Sequence, residues 1–197
     1  HRIDCLASAL LNQQQDLREE RIALLVPASL NYVTALHGVW RAGGIAVPLN
    51  IAATIPELEY YLSSTGVTRL LTAGEDPADL CDLCTRLNIQ RIAIDAAVET
   101  AIEAADSALP SADLLIEADR RAMILFTSGT TNKPKGVVTT HKTLAAQIGT
   151  LIDAWCWRDD DVIPLFLPLH HIHGIINILG CGLWAGATVH LFPKFDL

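Results

Sequence analysis

The stretch FTSGTTNKPKG, residues 126–136, concentrates polar chemistry in a chain that is otherwise strongly apolar. Gly129 lets the backbone come close to a ligand and turn its N–H groups inward. Lys133 and Lys135 supply positive charge, and Pro134 between them stiffens the backbone. Four side chains add hydroxyl donors: Thr127, Ser128, Thr130 and Thr131. Donors and cations together are the chemistry that a polyphosphate needs.

This stretch differs from the Walker loop, in which a glycine and four further residues precede Gly-Lys-Ser/Thr. Counted from Gly129, the fifth following residue is Pro134, so the pattern does not match. The Walker loop also opens a helix, whereas the Val-Val-Thr-Thr run at 137–140 indicates a strand. From the residues alone, two interpretations stay open. The stretch is either a phosphate-binding loop or a polar hairpin loop with solvated lysines.

A second candidate site contains His170, His171 and His173. Their close spacing suits a metal ion, but no carboxylate or further cysteine follows nearby to complete a ligand set. We therefore expect no metal here. Two interpretations of the three histidines stay open: a polar cluster at a strand end, or residues that bind the substrate. The Cys81-x-x-Cys84 pair has no second pair in the sequence, which favours two cysteines packed on one helix face.

The composition limits the class of protein. The chain has 197 residues, of which 51% are hydrophobic and 18% charged, with a net charge of −8. This length and apolar content suit a buried α/β core. The acidic balance argues against a nucleic-acid partner, which requires a basic face. Five scattered cysteines without a signal peptide predict a reducing, cytoplasmic location, with an organelle left open because the sequence begins at His1.

Residues 162–193 contain no Asp, Glu, Lys or Arg, and that run is longer than a membrane span needs. Prolines, glycines and histidines interrupt it throughout. We therefore expect no membrane span, and a buried strand–loop–helix–strand unit instead. The sequence predicts no oligomeric state.

Apolar runs alternate with helical periodicity along the chain. RIALLV at 21–26 is typical of a buried strand, and Ser29 is a candidate N-cap for the helix after it. Predicted strands lie at 21–26, 45–50, 69–73, 90–95, 123–127, 137–140, 162–167 and 188–192. Predicted helices lie at 30–42, 54–66, 77–87, 142–157 and 173–184, with 96–115 as a connector.

This alternation predicts an α/β fold with a mostly parallel sheet and helices on both faces. In such sheets ligands bind at the carboxyl ends of the strands. The loop that begins at Ser128 directly follows a predicted strand. The fold therefore places the hydroxyls and lysines at the edge where ligands bind.

Four stretches, in this order, resemble motifs of the adenylate-forming superfamily, which includes acyl-CoA synthetases, aryl-CoA ligases and peptide-synthetase adenylation domains. They are GVWRAGGIAVPLN, TSGTTNKPKG, FLPLHHIHG and GATVHLFPKFD, and the likeness spans Arg21 to Asp196. The resemblance implies the first half of a large N-terminal domain, with a first α/β portion at 1–118. Residues 119–197 would hold the phosphate loop and acyl pocket. The rest of the large domain and a small mobile domain are expected to lie outside this sequence, so this chain alone is expected not to complete the reaction.

The resemblance implies that a carboxylic acid attacks Mg²⁺-bound ATP to give an acyl-adenylate, and that coenzyme A then displaces AMP. Lys135 is carried over as a catalytic residue, Lys133 falls at a variable position, and His171 and His173 are assigned to the substrate. Asn132 stands where the family usually has glycine, and asparagine tolerates a left-handed backbone better than most residues. The resemblance assigns ATP binding to Thr127, Ser128, Gly129, Thr130, Thr131, Lys135 and Gly136.

The His-x-His-Gly sequence after Leu-Pro looks most similar to the malonyl-CoA synthetase branch. Polar imidazoles at His171 and His173 suit a second carboxylate better than an alkyl tail. Malonate or a similar short dicarboxylate is thus one expected substrate, and a medium-chain or aryl acid is the other. An adenylation domain that loads a carrier protein and a non-catalytic phosphate-binding or interaction module remain alternatives.

Overall fold

A computed structural model of the chain describes residues 1–104, 114–127 and 133–192. The helices are α1 (Arg2–Leu11), α2 (Leu30–Arg41), α3 (Ile55–Thr65), α4 (Ala78–Arg86), α5 (Ile94–Ala104), α6 (His141–Trp155) and α7 (Cys181–Ala185), and a π-helix (His173–Gly180) runs directly into α7. The strands are β1 (Arg21–Leu25), β2 (Ile45–Pro48), β3 (Arg69–Thr72), β4 (Gln90–Ala93), β5 (Arg121–Thr127), β6 (Lys135–Thr140), β7 (Val162–Leu165) and β8 (Thr188–Leu191).

Within the described ranges, six strands form one sheet in the order β4-β3-β1-β2-β5-β6. All its neighbouring strands are parallel except β5 and β6, which form an antiparallel hairpin. Strands β7 and β8 pair with each other in a separate parallel sheet. The predicted mostly parallel α/β fold is confirmed.

The two faces of the six-stranded sheet bury different side chains, because successive residues of a strand point in opposite directions. In β1, Ile22 and Leu24 join the core formed with α1, α2, α5 and α6. Ala23 between them joins the core formed with α3 and α4. Helices therefore cover both faces, as the sequence predicts.

Local sequence signals set the ends of helices α2 and α3. The Ser29 hydroxyl accepts a hydrogen bond from the Tyr32 N–H and caps α2, as predicted. Helix α3 begins with a capping box between Thr54 and Glu57 and ends at Gly66 in a left-handed conformation. These residues satisfy backbone groups that a helix end leaves unpaired.

Two helices differ from the sequence prediction. Helix α5 occupies the start of the segment predicted as a connector, so that prediction is wrong for residues 96–104. Its Val98 is fully buried in the core shared with α1. Helix α1 is an additional element that the sequence pattern does not predict. Burial of these short apolar faces against each other explains why they fold as helices.

Strands β5 and β6 belong to the same sheet as β1–β4, so the sheet continues across the predicted division at residue 118. The division itself stays a prediction. In the part of the chain that the structure describes, no helix is both long enough and apolar enough to span a membrane.

Candidate active site

The carboxyl ends of β2 and β5 lie side by side, because these strands are parallel neighbours in the sheet. A cavity of about 220 Å³ opens at this edge. Five segments line it: the end of β2, the end of β5, helix α3, the residue before β6, and the turn before the π-helix. The lining residues are Pro48, Leu49, Asn50, Tyr61, Phe126, Thr127, Pro134, His170 and His171. The cavity thus joins two stretches that the sequence analysis singled out separately.

The hydroxyl- and lysine-containing stretch connects the two strands of a hairpin. Phe126 pairs with Gly136, and Thr127 with Lys135, as the last pairs before the residues that connect the two strands. Strand β6 after the turn agrees with the sequence-based rejection of a Walker loop, since that loop opens a helix. Among the residues predicted to bind ATP, Ser128, Gly129, Thr130 and Thr131 lie outside the described residues, as does Asn132.

Thr127 lies at the cavity, where it shares the lining with His171. Its hydroxyl Oγ1 donates to the backbone carbonyl of Lys135 at 3.4 Å. Lys135 is exposed and lines a neighbouring cleft of about 380 Å³ together with Gly136. Pro134 lines both spaces. The predicted cation therefore stands beside the cavity rather than within its lining.

Gly136 is required by a close approach rather than by an unusual backbone. A Cβ atom at this position would lie 3.0 Å from Cγ2 of Ile124 on the paired strand. That separation is tighter than ordinary van der Waals contact. The glycine therefore lets the beginning of β6 lie close over β5.

The histidine turn holds two of the three candidates at the cavity. The rings of His170 and His171 lie 4.2 Å apart between centroids, and both line the cavity. His173 instead places Nδ1 3.1 Å from the Asn177 amide nitrogen, with its ring edge-on to Trp155. The structure thus brings His171 to the cavity and leaves His173 outside its lining. Both roles in substrate binding stay predictions.

Burial fixes the charge state of His170. Loss of solvent, with a smaller contribution from the neighbouring His171, lowers the pKa of His170 to about 4. The imidazole is therefore neutral near pH 7, and one ring nitrogen carries a donor hydrogen while the other accepts.

Across residues 1–104, 114–127 and 133–192, no group of three or more His, Cys, Asp or Glu is arranged to hold a metal ion. Cys84 is buried on α4, and burial raises the pKa of its thiol. This agrees with the packed-cysteine interpretation of the Cys81-x-x-Cys84 pair.

Sequence reasoning did not assign a site role to Asn50, Tyr61 or His170. Asn50 carries a usable signal, because it is the first polar residue after a buried strand whose carboxyl end faces the ligand edge. Tyr61 carries none, since it reaches the cavity from the middle of α3 through tertiary packing. His170 belongs to the histidine cluster of the sequence but is not among the residues predicted to bind substrate, and the structure places its ring beside that of His171 at the cavity.

All 197 residues match the family model described as AMP-binding enzyme. A mitochondrial malonate–CoA ligase of Bos taurus is 39% identical over 184 residues, covering 92% of this chain and 31% of the relative. An oxalate–CoA ligase of Arabidopsis thaliana is 34% identical over 195 residues, covering 96% of this chain and 38% of the relative. The chain therefore spans about a third of the length of these relatives.

Solved structures of MatB from Rhodopseudomonas palustris have the same fold. The apo structure gives a TM-score of 0.85 at 26% identity, over 99% of this chain and 39% of that one. The ATP-bound structure gives 0.82 at 28% identity with the same coverage. The similarity covers the described sheets and helices nearly completely.

Proposed function

The chain belongs to the AMP-binding enzyme family, and from that premise we propose that its protein is an ATP-dependent acid–CoA ligase. Since the chain spans about a third of its relatives' length, this activity is proposed for the whole protein. One observation carries the proposal. A single cavity at the carboxyl edge of the sheet collects Thr127 from the hydroxyl-rich hairpin and His171 from the histidine turn.

The proposed reaction has two steps. A carboxylate oxygen attacks the α-phosphorus of ATP, so that an acyl-adenylate forms and pyrophosphate leaves. The sulfur of coenzyme A then attacks the acyl carbon, its proton goes to solvent, and AMP leaves. Charge accumulates on phosphate oxygens in the first step, so positioned donors and cations supply most of the catalysis. In this step Thr127 would supply a hydroxyl donor and Lys135 a positive charge to the phosphate oxygens.

Magnesium enters this proposal as part of the substrate, Mg²⁺-bound ATP. Protein sites for Mg²⁺ use one or two carboxylates together with substrate phosphates. No carboxylate is among the residues lining the cavity, which are drawn from the described part of the chain. These residues therefore do not fit a resident Mg²⁺ site, and their proposed role is to bind the nucleotide and the acid.

We further propose a short dicarboxylate, such as malonate, as the acid. Its second carboxylate requires a polar partner when it is buried. The His170–His171 pair offers imidazole N–H groups at the cavity, and the neutral state of His170 leaves it a donor without an added charge. The names of the bovine and Arabidopsis relatives, malonate–CoA and oxalate–CoA ligase, support the same substrate class.

A competition assay tests both levels of the proposal in the full-length protein. The protein receives ATP, Mg²⁺ and coenzyme A with malonate, methylmalonate, oxalate, acetate, octanoate or a cinnamate, and AMP and thioester are measured. We expect the highest kcat/KM with a dicarboxylate. A tenfold preference for octanoate or cinnamate, about 1.4 kcal/mol of transition-state binding, would overturn the dicarboxylate. Absence of acid-dependent AMP with every acid would overturn the ligase.

Reactions without coenzyme A separate the alternatives within this scheme. Acid-dependent pyrophosphate release that needs no thiol, followed by thioester only with coenzyme A, is the expected pattern. Thioester formation only with a phosphopantetheinyl carrier protein would instead identify a carrier-loading enzyme. The compartment stays a prediction, and the bovine relative's name places that protein in mitochondria.

A further inference from the structure

Tyr60, in the middle of α3, contacts the hairpin immediately before β6. Its hydroxyl donates a 2.8 Å hydrogen bond to the backbone carbonyl of Pro134. Its ring also lies 5.4 Å, centroid to Nζ, from the ammonium of Lys133. One side chain therefore contacts both residues that precede Lys135. A hydrogen bond to a carbonyl restrains the backbone, and a cation near an aromatic ring is favourable.

Helix α3, which carries Tyr60, is packed against the sheet. Leu58 and Leu62 are buried in the core that α3 shares with the sheet. The ring of Tyr61, beside Tyr60, lies 4.4 Å from the ring of Phe126 on β5. Aromatic pairs at such separations are attractive. The helix thus packs on the end of β5, while Tyr60 contacts the residues that lead into β6.

Tyr60 and Tyr61 line the two neighbouring spaces beside Pro134. Tyr60 lines the cleft that contains Lys135, and Tyr61 lines the cavity that contains Thr127 and His171. Pro134, whose carbonyl Tyr60 binds, lines both. Movement of Pro134 would therefore shift Lys135 relative to the cavity.

We propose that Tyr60 is a positioning residue for ATP binding, which acts through Pro134 to hold Lys135 in place. This inference rests on the proposed function, because it assigns a role toward the nucleotide. Tyr60 itself touches no reacting atom in this scheme. Its hydroxyl restrains the backbone at Pro134 through the hydrogen bond, and its ring contacts the ammonium of Lys133.

The test replaces the hydroxyl alone. Tyr60→Phe keeps the ring and its contact with Lys133 but removes the hydrogen bond to Pro134. In the full-length protein we expect KM for ATP to rise roughly two- to tenfold, the range that one net hydrogen bond supplies. KM for the acid is expected to stay unchanged, because Lys135 acts on the nucleotide in this scheme. The thermal midpoint is expected to fall by no more than a few degrees, because only one hydrogen bond is lost.

Tyr32→Phe is the matched control. Tyr32 is buried on α2, and its hydroxyl has no hydrogen-bond partner among the described residues. The same chemical change there is expected to leave KM for ATP unaltered. If removal of any tyrosine hydroxyl raised KM for ATP, the rise would appear in both Tyr60→Phe and Tyr32→Phe.

Two outcomes in Tyr60→Phe would overturn the inference: unchanged ATP kinetics, or a rise in KM for the acid as large as that for ATP, together with a fall in the thermal midpoint of more than a few degrees. The second outcome would mean that Tyr60 only stabilises the fold. Calorimetric ATP binding separates this test from the proposed function. If the wild type binds ATP but forms no AMP, the ligase fails, and the Kd ratio of Tyr60→Phe to wild type still decides the role of Tyr60. A wild type that binds no ATP overturns both.

Discussion

Thr127 and Lys135 form the last pair between the antiparallel strands β5 and β6 before the residues that connect them. The Thr127 hydroxyl also donates to the Lys135 carbonyl, at 3.4 Å. Two residues predicted to bind the same nucleotide are thus held in register by backbone pairing. A site built on paired strands keeps its geometry better than one built on loops alone.

Lys135→Ala is expected to lower the rate of acid-dependent AMP formation about ten- to hundredfold, because a hydrogen bond to a charged group contributes about 1.5–3 kcal/mol. The measurement is AMP release at saturating acid. Lys142→Ala is the control, since Lys142 pairs with Asp119 on an exposed surface, 68% and 83% accessible. Equal rates for Lys135→Ala and the wild type would remove Lys135 from the mechanism.

Gly174→Ala is expected to raise KM for the acid and lower the thermal midpoint. A Cβ at Gly174 would lie 2.6 Å from the Pro168 carbonyl oxygen, and that backbone also accepts the His171 N–H at 3.4 Å. Relief of the clash must move the turn that carries His170 and His171. Steady-state kinetics across acid concentrations, together with thermal unfolding, measure both effects.

Gly149→Ala is the matched control for this substitution. Gly149 lies within α6, and apart from its chain neighbours and the adjacent backbone of that helix, no described atom lies within 4 Å of the position a Cβ would take. Alanine in a helix interior is expected to stabilise by about 0.4–1 kcal/mol, without a change in KM. If Gly174→Ala behaved like Gly149→Ala, the turn would not depend on the missing side chain.

Asp16→Asn is expected to destabilise the fold near neutral pH. Arg120 donates two 2.8 Å hydrogen bonds to the Asp16 carboxylate and a third, at 2.7 Å, to the Gly43 carbonyl. The Arg120 hydrogen bonds are the largest contribution that lowers the pKa of Asp16. Loss of this partly buried pair is expected to cost about 1–3 kcal/mol. Thermal unfolding near pH 7 measures it.

The pH dependence has a definite sign. The pKa of Asp16 is lower in the folded state than in the unfolded chain, where it is about 4. The stabilisation by Asp16 is therefore fully present above the unfolded-state pKa and is lost as the pH falls through the folded-state pKa. The difference between wild type and Asp16→Asn should therefore shrink on acidification. Asp160→Asn, in an exposed pair with Arg158, should change little at any pH. A difference that grows in acid would contradict the assignment.

Tyr32→Phe is expected to leave the free energy of unfolding unchanged or to raise it by about 1–2 kcal/mol. The Tyr32 side chain is 1% exposed, and burial raises the pKa of its phenol. A buried hydroxyl without a partner among the described residues costs free energy that phenylalanine does not. Denaturant unfolding measures the change, and a loss above about 1 kcal/mol would indicate a hydrogen-bond partner.

Local sequence determined the elements near the site. A branched apolar run predicted β1, Ser29 predicted the start of α2, and Gly66 the end of α3, and the structure confirms each. These signals act within a few residues, through backbone hydrogen bonds and side-chain shape, so sequence alone carries them. The strands on either side of the hydroxyl- and lysine-containing stretch follow from the same rules.

Only the tertiary structure decided which of these residues meet. Strands β7 and β8 form a separate sheet, and Tyr60 bonds to Pro134, so residues far apart in the chain are joined. The fold also brings His171 to the cavity and leaves His173 outside its lining. Helix α5 likewise forms where the local pattern indicated a connector, since its apolar face is buried against α1. Such choices depend on which faces can be covered together, and the free energy of that burial is absent from any local pattern.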